Sequence, residues 1–167
     1  RNLLRFCMNR SRSRLILQNR DDQQELVKYG LVDAQNIRLI RGSGVNTQRF
    51  QPRLNPRSPG PFKVLLATRL LWEKGVGEYV AAARQLCREG LNIQFQLAGL
   101  PDSGNPASVS KQTIDEWQQQ GFINILGHVD NMESLLTNID LMVLPSYREG
   151  TPRSLLGAAG CGLPIVT

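Results

Sequence analysis

Two cations, Arg69 and Lys74, follow the apolar run Phe62–Ala67 and stand just before a glycine, Gly75. If the run is a strand and Gly75 opens a helix, both charges sit where a strand ends and a helix dipole begins. That arrangement suits a pyrophosphate. Two solvated loop cations are the plain alternative, and spacing alone leaves the two readings at even odds. A second cluster is Arg148-Glu149-Gly150-Thr151-Pro152, after the apolar run 139–144. Glu149 could accept hydrogen bonds from sugar hydroxyls. The backbone N–H groups of Gly150 and Thr151 could meet phosphate at a helix start, where Pro152 sacrifices no hydrogen bond. Otherwise Glu149 is only a first-turn partner of the dipole. Gly127-His128-Val129 forms a third candidate. His128 is the only histidine and has no evident Ser or Cys nucleophile beside it. A lone histidine is more often structural, but at a strand's carboxyl end its ring and backbone could border a nucleobase.

The elements that must position these residues follow from periodicity. Strands are expected at 15–18, 36–40, Phe62–Ala67, 93–97, 123–126 and 139–144, and one more begins at 164. Asp21 and Asp22 start a helix that runs to Tyr29 and stops at Gly30. Val76, Tyr79, Val80, Ala83, Leu86 and Cys87 share one face of a helix over 75–89. Ile93, Phe95 and Leu97 alternate with glutamines, which predicts a strand near an edge or with one wetter face. Further helices are expected at 109–120, 132–138 and 152–161, with a polar loop at 101–106. Pro52, Pro56, Pro59, Gly60 and Pro61 mark a linker. Strands alternating with helices imply an α/β, Rossmann-like parallel sheet with helices on both faces. Gly42-Ser43-Gly44 fails the dinucleotide fingerprint, because Thr47 stands where its third glycine belongs. No P-loop, EF-hand or zincin motif occurs.

Composition narrows the partners. The chain has 167 residues and a net charge of +6. Residues 1–63 hold 13 Lys/Arg against 4 Asp/Glu, a net of +9, whereas residues 64–167 hold 7 against 10, a net of −3. The basic part could face an anionic membrane surface, a phosphorylated substrate or plain solvent. No RNA-binding aromatic motif or zinc finger is present, so nucleic acid is not expected as a partner. The three cysteines have no metal or redox spacing, which fits a reduced, cytoplasmic protein. No leader is expected at residues 1–6, and no apolar stretch approaches the ~20 residues that span a bilayer. Because the last strand stops at Thr167, the chain is expected to be part of a longer protein.

Taken together, these motifs resemble one family. The segments Arg69-Leu-Leu-Trp-Glu-Lys74-Gly75, Gly127-His128-Val129 and 139–152, closed by 158–167, look like a group 1 (family 4) glycosyltransferase of the GT-B fold. Arg41-Gly-Ser-Gly-Val-Asn46 with Phe50 and Pro52 is similar to the end of that family's first domain. Bacterial enzymes of O-antigen, capsule and glycan-lipid assembly look most alike. Asp102-Ser-Gly-Asn-Pro106 resembles members that move N-acetylhexosamines from UDP-sugars to polyprenyl-diphosphate acceptors. The resemblance implies that residues 1–57 are the tail of an acceptor domain plus linker. Residues 58–167 would be a C-terminally incomplete donor-binding domain. It further implies that Arg69 and Lys74 grip the donor diphosphate and Glu149 contacts the donor sugar. By the same resemblance Gly150 and Thr151 meet phosphate, and His128 and Val129 border the base. Transfer would be retaining, with no cofactor or metal. The acceptor would be lipid-linked or a saccharide, and contact with the inner membrane face would be peripheral.

One position departs from the family pattern of two glutamates separated by seven residues: the second is Gly157. In the family that glutamate commonly anchors the ribose, so weaker donor affinity is expected. Losing such a bond costs about 1.5–3 kcal/mol. A nucleotide-sugar binding module without catalysis, or a degenerate homologue, is therefore the competing reading. A GT-B epimerase is a third, which the 148–152 motif argues against. The 167 residues alone are not expected to turn over substrate.

Overall fold

The computed structural model describes residues 2–10, 12–42, 44–54, 57 and 59–167. Ser43 of the glycine-rich segment and Pro56 of the proline cluster lie outside them. The chain divides into two units, one of residues 1–44 with 150–152 and the other of residues 45–149 with 153–167.

The first unit holds α1 (Asn2–Met8), β1 (Leu15–Leu17), α2 (Arg20–Lys28) and β2 (Ile37–Leu39). β1 and β2 pair in parallel, Leu15 opposite Ile37 and Leu17 opposite Leu39. Asn19 caps α2 by accepting from the Asp22 amide at 2.7 Å, with Asp21 and Asp22 in the positive first turn. Gly150 and Thr151 pack within this unit: Gly150 lies against the Gln18 side chain and Thr151 against Gly42.

The second unit is built on β3 (Phe62–Ala67), α3 (Val76–Arg88), β4 (Ile93–Ala98), α4 (Lys111–Gln120), β5 (Ile123–Gly127), α5 (Met132–Leu136), β6 (Leu141–Val143), α6 (Arg153–Gly160) and β7 (Ile165–Val166). The strands form one parallel sheet in the order β5-β4-β3-β6-β7. Side chains alternate across it. Val64, Leu66, Phe95 and Leu97 pack with Val76, Tyr79, Val80 and Ala83 of α3 and with Ile114 and Trp117 of α4. Leu65, Ala67 and Ala98 pack on the opposite side with Leu136 of α5 and Ala158 of α6. Helices thus cover both faces, which is why the central strands read as nearly continuous apolar runs. Each fully buried leucine contributes about 1.5–3 kcal/mol.

β4 meets the first of the two expectations from its alternation, a place near the sheet edge. β4 is one strand in from the edge, but its glutamine side is not wet at Gln96, which is 8% exposed. Alternation in sequence recorded polarity, and burial came instead from α5 and α6 closing over that face. Gln96 Oε1 has no hydrogen-bond partner among the described residues.

The proline-rich stretch packs with the second unit wherever it is described. Phe50 joins the core beside α5 and α6, and Arg53 and Arg57 reach Asp140 at 3.0 and 2.8 Å. The contact division falls at Gly44/Val45. Asp140 is buried and also accepts from the Lys63 amide at 2.9 Å. Burial pushes its carboxyl up, but the Lys63 amide and the two guanidiniums outweigh this and hold it below the usual range. A depressed folded pKa stabilises above the unfolded value near 3.8 and is lost as pH falls through the folded one. Asp140→Asn should therefore cost about 1.5–3 kcal/mol at pH 7 and progressively less as the pH falls below 3.8. Denaturant titrations at both pH values check this, and an equal loss at both would contradict it.

Candidate functional site

The strand order sets the site. From β3 the chain moves outward through β4 to β5, then returns to the other side of β3 as β6. The carboxyl ends of β3 and β6 thus flank a switch point, where open α/β sheets leave a crevice.

Two backbone turns meet there. After β3 the chain makes a 3-10 turn, Trp72–Lys74, and enters α3 through Gly75 at φ 70°. After β6 it runs through Pro145 to Glu149. The turns lie so close that a Cβ on Gly75 would stand 2.0 Å from the Pro145 carbonyl oxygen. The Tyr147 amide donates to the Glu73 carbonyl at 3.0 Å, and the Ser146 hydroxyl donates to the same oxygen at 3.3 Å. Tyr147 also donates its hydroxyl to Glu78 at 2.5 Å, which holds the Glu78 carboxyl low.

This seam brings together two residues picked from separate motifs. Lys74 Nζ donates to Glu149 Oε1 at 2.9 Å and to the Arg148 carbonyl at 3.3 Å. The side chains are 14% and 25% exposed, so the pair is only partly screened by water.

Beside the strand ends lies a cavity of about 500 Å³. Ala67, Thr68 and Arg69 follow β3 into its wall, Ala98 to Asp102 continue β4, and His128 and Val129 follow β5. Met132 and Leu136 of α5, Arg153, Ser154 and Gly157 of α6, and Val45 and Phe50 complete it. Small residues at the strand ends make the room. Gly99 has φ 143°, and a Cβ there would stand 1.8 Å from the Thr68 carbonyl oxygen.

Arg69, His128 and Val129, expected at a ligand site, therefore line one cavity. Lys74 and Glu149 are joined to each other but are not in its wall, and Gly150 and Thr151 group with the first unit. Arg69 is engaged by Asp102 at 2.6 Å. His128 is exposed and lies 3.1 Å from Asp130. Among the described residues, no three His, Cys, Asp or Glu side chains cluster to hold a metal ion.

Sequence reasoning passed over Phe50, Asp102 and Ser154 as cavity residues, and it found no purpose for Gly160. The structure supplies one. A Cβ on Gly157 would meet the Phe50 ring at 3.0 Å, and one on Gly160 would meet Phe50 Cβ at 3.1 Å. The two glycines are a notch in α6 that admits Phe50. A side chain at 157 would press on that ring, which must give by a few tenths of an ångström to admit it. A glycine spaced three residues from another on a helix was the signal available in the sequence.

The family model for glycosyl transferases group 1 matches residues 47–167. The chain belongs to this family. Among its relatives is the N,N'-diacetylbacillosaminyl-diphospho-undecaprenol alpha-1,3-N-acetylgalactosaminyltransferase of Campylobacter jejuni. It is 32% identical over 99% of this chain and 46% of its own length. Sucrose-phosphate synthase from Thermosynechococcus elongatus superposes with a TM-score of 0.75 at 23% identity, over 98% of this chain and 42% of its own. Anabaena HepE, solved with UDP and glucose, gives 0.73 at 20% identity, over 98% and 47%. The fold is thus the Rossmann-like one of GT-B glycosyltransferases. The chain spans less than half the length of each of these three proteins.

Proposed function

We propose that the second unit is the donor-binding part of a retaining glycosyltransferase. Its donor is a UDP-sugar, an N-acetylhexosamine derivative, and its acceptor is a polyprenyl-diphosphate-linked or polysaccharide chain. The observation that carries this reading is the Lys74–Glu149 pair at the switch point, next to a cavity walled by Arg69. A departing nucleoside diphosphate gains negative charge as the glycosidic bond breaks, and fixed cations lower that barrier. Arg69 and Lys74 are the cations, and Glu149 holds Lys74 in place and faces the donor sugar. No metal or cofactor is needed for this role. His128 and Val129 border the base, and Gly150 and Thr151 offer amides to phosphate. In this reading residues 1–57 are the tail of the acceptor domain. The Campylobacter relative, named for a lipid-linked acceptor, supports the acceptor class and a place at the cytoplasmic face of the inner membrane. No described helix is long and apolar enough to cross a membrane.

Calorimetry of the native protein with UDP, GDP and ADP tests the donor. We expect UDP to bind at least tenfold more tightly than either purine diphosphate, and equal affinities would refute it. A non-catalytic binding module is the second reading, favoured by the notch at Gly157. It predicts UDP binding without transfer from any UDP-N-acetylhexosamine to a polyprenyl-diphosphate glycan.

A further inference from the structure

A second cavity, of about 780 Å³, opens within the second unit. Lys63, near the start of β3, and Asp140, just before β6, place it at the amino ends of the strands. The proline-rich stretch supplies its other wall. Its charged groups are Arg49, Arg53, Arg57 and Lys63 against Glu133 and Asp140. Arg49 pairs with Glu133. The buried Asp140 is shared: Arg53 donates to Oδ1, while Arg57 and the Lys63 amide donate to Oδ2. One carboxylate thus gathers three cationic residues and neutralises only one of them. Among the described residues the Lys63 ammonium has no hydrogen bond or ion pair. Arg57 turns Nη2 to the Gly60 and Pro61 carbonyls at 2.9 and 2.6 Å, which leaves its Nη1 as a donor. Arg53 engages Nη2 alone, which leaves Nε and Nη1. The two arginine side chains are 34% and 36% exposed, so their charges repel each other through less water than at an open surface.

We propose that this cavity binds a phosphate-like oxyanion, held by Lys63, Arg53 and Arg57 on the solvent side of Asp140. Asp140 fixes the guanidiniums from within, and the anion takes the N–H groups that face outward. Arginine presents those groups as a planar fork that fits phosphate oxygens, and the lysine adds a point charge. An oxyanion of one or two negative charges balances the two cations that Asp140 and Glu133 leave over. The bound anion also ties the proline-rich stretch, through Arg53 and Arg57, to the sheet edge at Lys63. Inorganic phosphate and the phosphodiester of a lipid headgroup share this chemistry. No residue of this cavity lines the one walled by Arg69, so the proposal does not rest on the donor reading.

Titration calorimetry of the native protein with inorganic phosphate, at constant ionic strength and with UDP present to fill the donor cavity, tests it. We expect saturable binding at a single site. Lys63→Met, which keeps the stem and removes the charge, should weaken it by about tenfold or more. Lys63→Gln should show the same loss and replaces Lys63→Met if circular dichroism finds that variant unfolded. Lys63→Arg should stay within about threefold of the native protein. UDP affinity should be the same in all of them. If UDP binds to none, the donor reading fails, and the Lys63 comparison still decides this inference. Flotation with phosphatidylcholine vesicles, with and without phosphatidylglycerol, separates the two sources. Retention on the anionic vesicles that Lys63→Met abolishes identifies a headgroup, and phosphate binding without retention identifies a free anion. Neither saturable phosphate binding nor Lys63-dependent retention overturns the proposal. So does phosphate binding that Lys63→Met or Lys63→Gln leaves unchanged.

Discussion

Lys74→Met in the native protein should lower kcat for sugar transfer by about 100-fold to 1,000-fold, the loss typical of removing one preorganised donor to a developing oxyanion. The ammonium is 14% exposed and held by Glu149 and the Arg148 carbonyl, so it is oriented before any donor arrives. Methionine matches the stem in length and removes the charge. The difficulty is that Lys74 and Glu149 are one pair, and removing either disturbs the other. UDP, which lacks the transferred sugar, separates them. If Lys74 serves the diphosphate and Glu149 the sugar, Lys74→Met should weaken UDP about tenfold or more. Glu149→Gln should leave UDP within about threefold while still lowering transfer. Equal losses of UDP affinity in the two variants would mean that the pair acts only as a structural brace.

Gly75→Ala should be strongly destabilising to the second unit. Gly75 has φ 70°, where an L-residue costs about 1–2 kcal/mol. The added Cβ would also lie 2.0 Å from the Pro145 oxygen and 2.6 Å from its carbonyl carbon. Those are backbone atoms, which cannot rotate away as a side-chain tip could. Pro145 must retreat, and the Tyr147 and Ser146 bonds to Glu73 must stretch with it. The expected total is about 3–5 kcal/mol. Gly90→Ala is the control, because its φ of 77° is similar and nothing lies within 4 Å of the new methyl. It should cost only the backbone component, about 1–2 kcal/mol. Denaturant unfolding of both variants gives the contact term by difference, and matching values would show that the seam yields freely. Gly75→Ala should also lose the approach of Lys74 to Glu149, visible as weakened UDP binding that Gly90→Ala does not share.

The fold was legible because its signals are local. Helix α3 announced itself by the face that runs from Val76 to Cys87, and β3 by an uninterrupted apolar run. A glycine stopped a helix where expected, at Gly30 after α2. Helix α1 went unread: Asn2–Met8 has no acidic first turn and no buried residue. The site was legible only as residue types at strand ends. Arg69, His128 and Val129 could be placed on one edge, since parallel strands put all their carboxyl ends together. That Arg69 is held by Asp102, or Lys74 by Glu149, depends on side chains meeting across loops, which no spacing encodes. Phe50 shows the limit most clearly. Its partners Gly157 and Gly160 lie far along the chain, so the packing of its ring on them could not be read from spacing.

The cavity floor is made largely of main chain. Gly99 takes a bond from its amide to the Gly127 carbonyl at 2.7 Å, Thr68 donates to Ala98 at 3.0 Å, and no side chain larger than a methyl rises from Ala67 or Ala98. Substitution cannot reshape such a surface without breaking the sheet. Divergence in what the pocket accepts must therefore arise at its rim, at Phe50, Leu100, Val129 and Met132, where side chains can change while the ladder beneath stays the same. A library at those four positions would explore much of the ligand range open to this scaffold, with Phe50, Val129 and Met132 limited to side chains that still pack on the core beneath them.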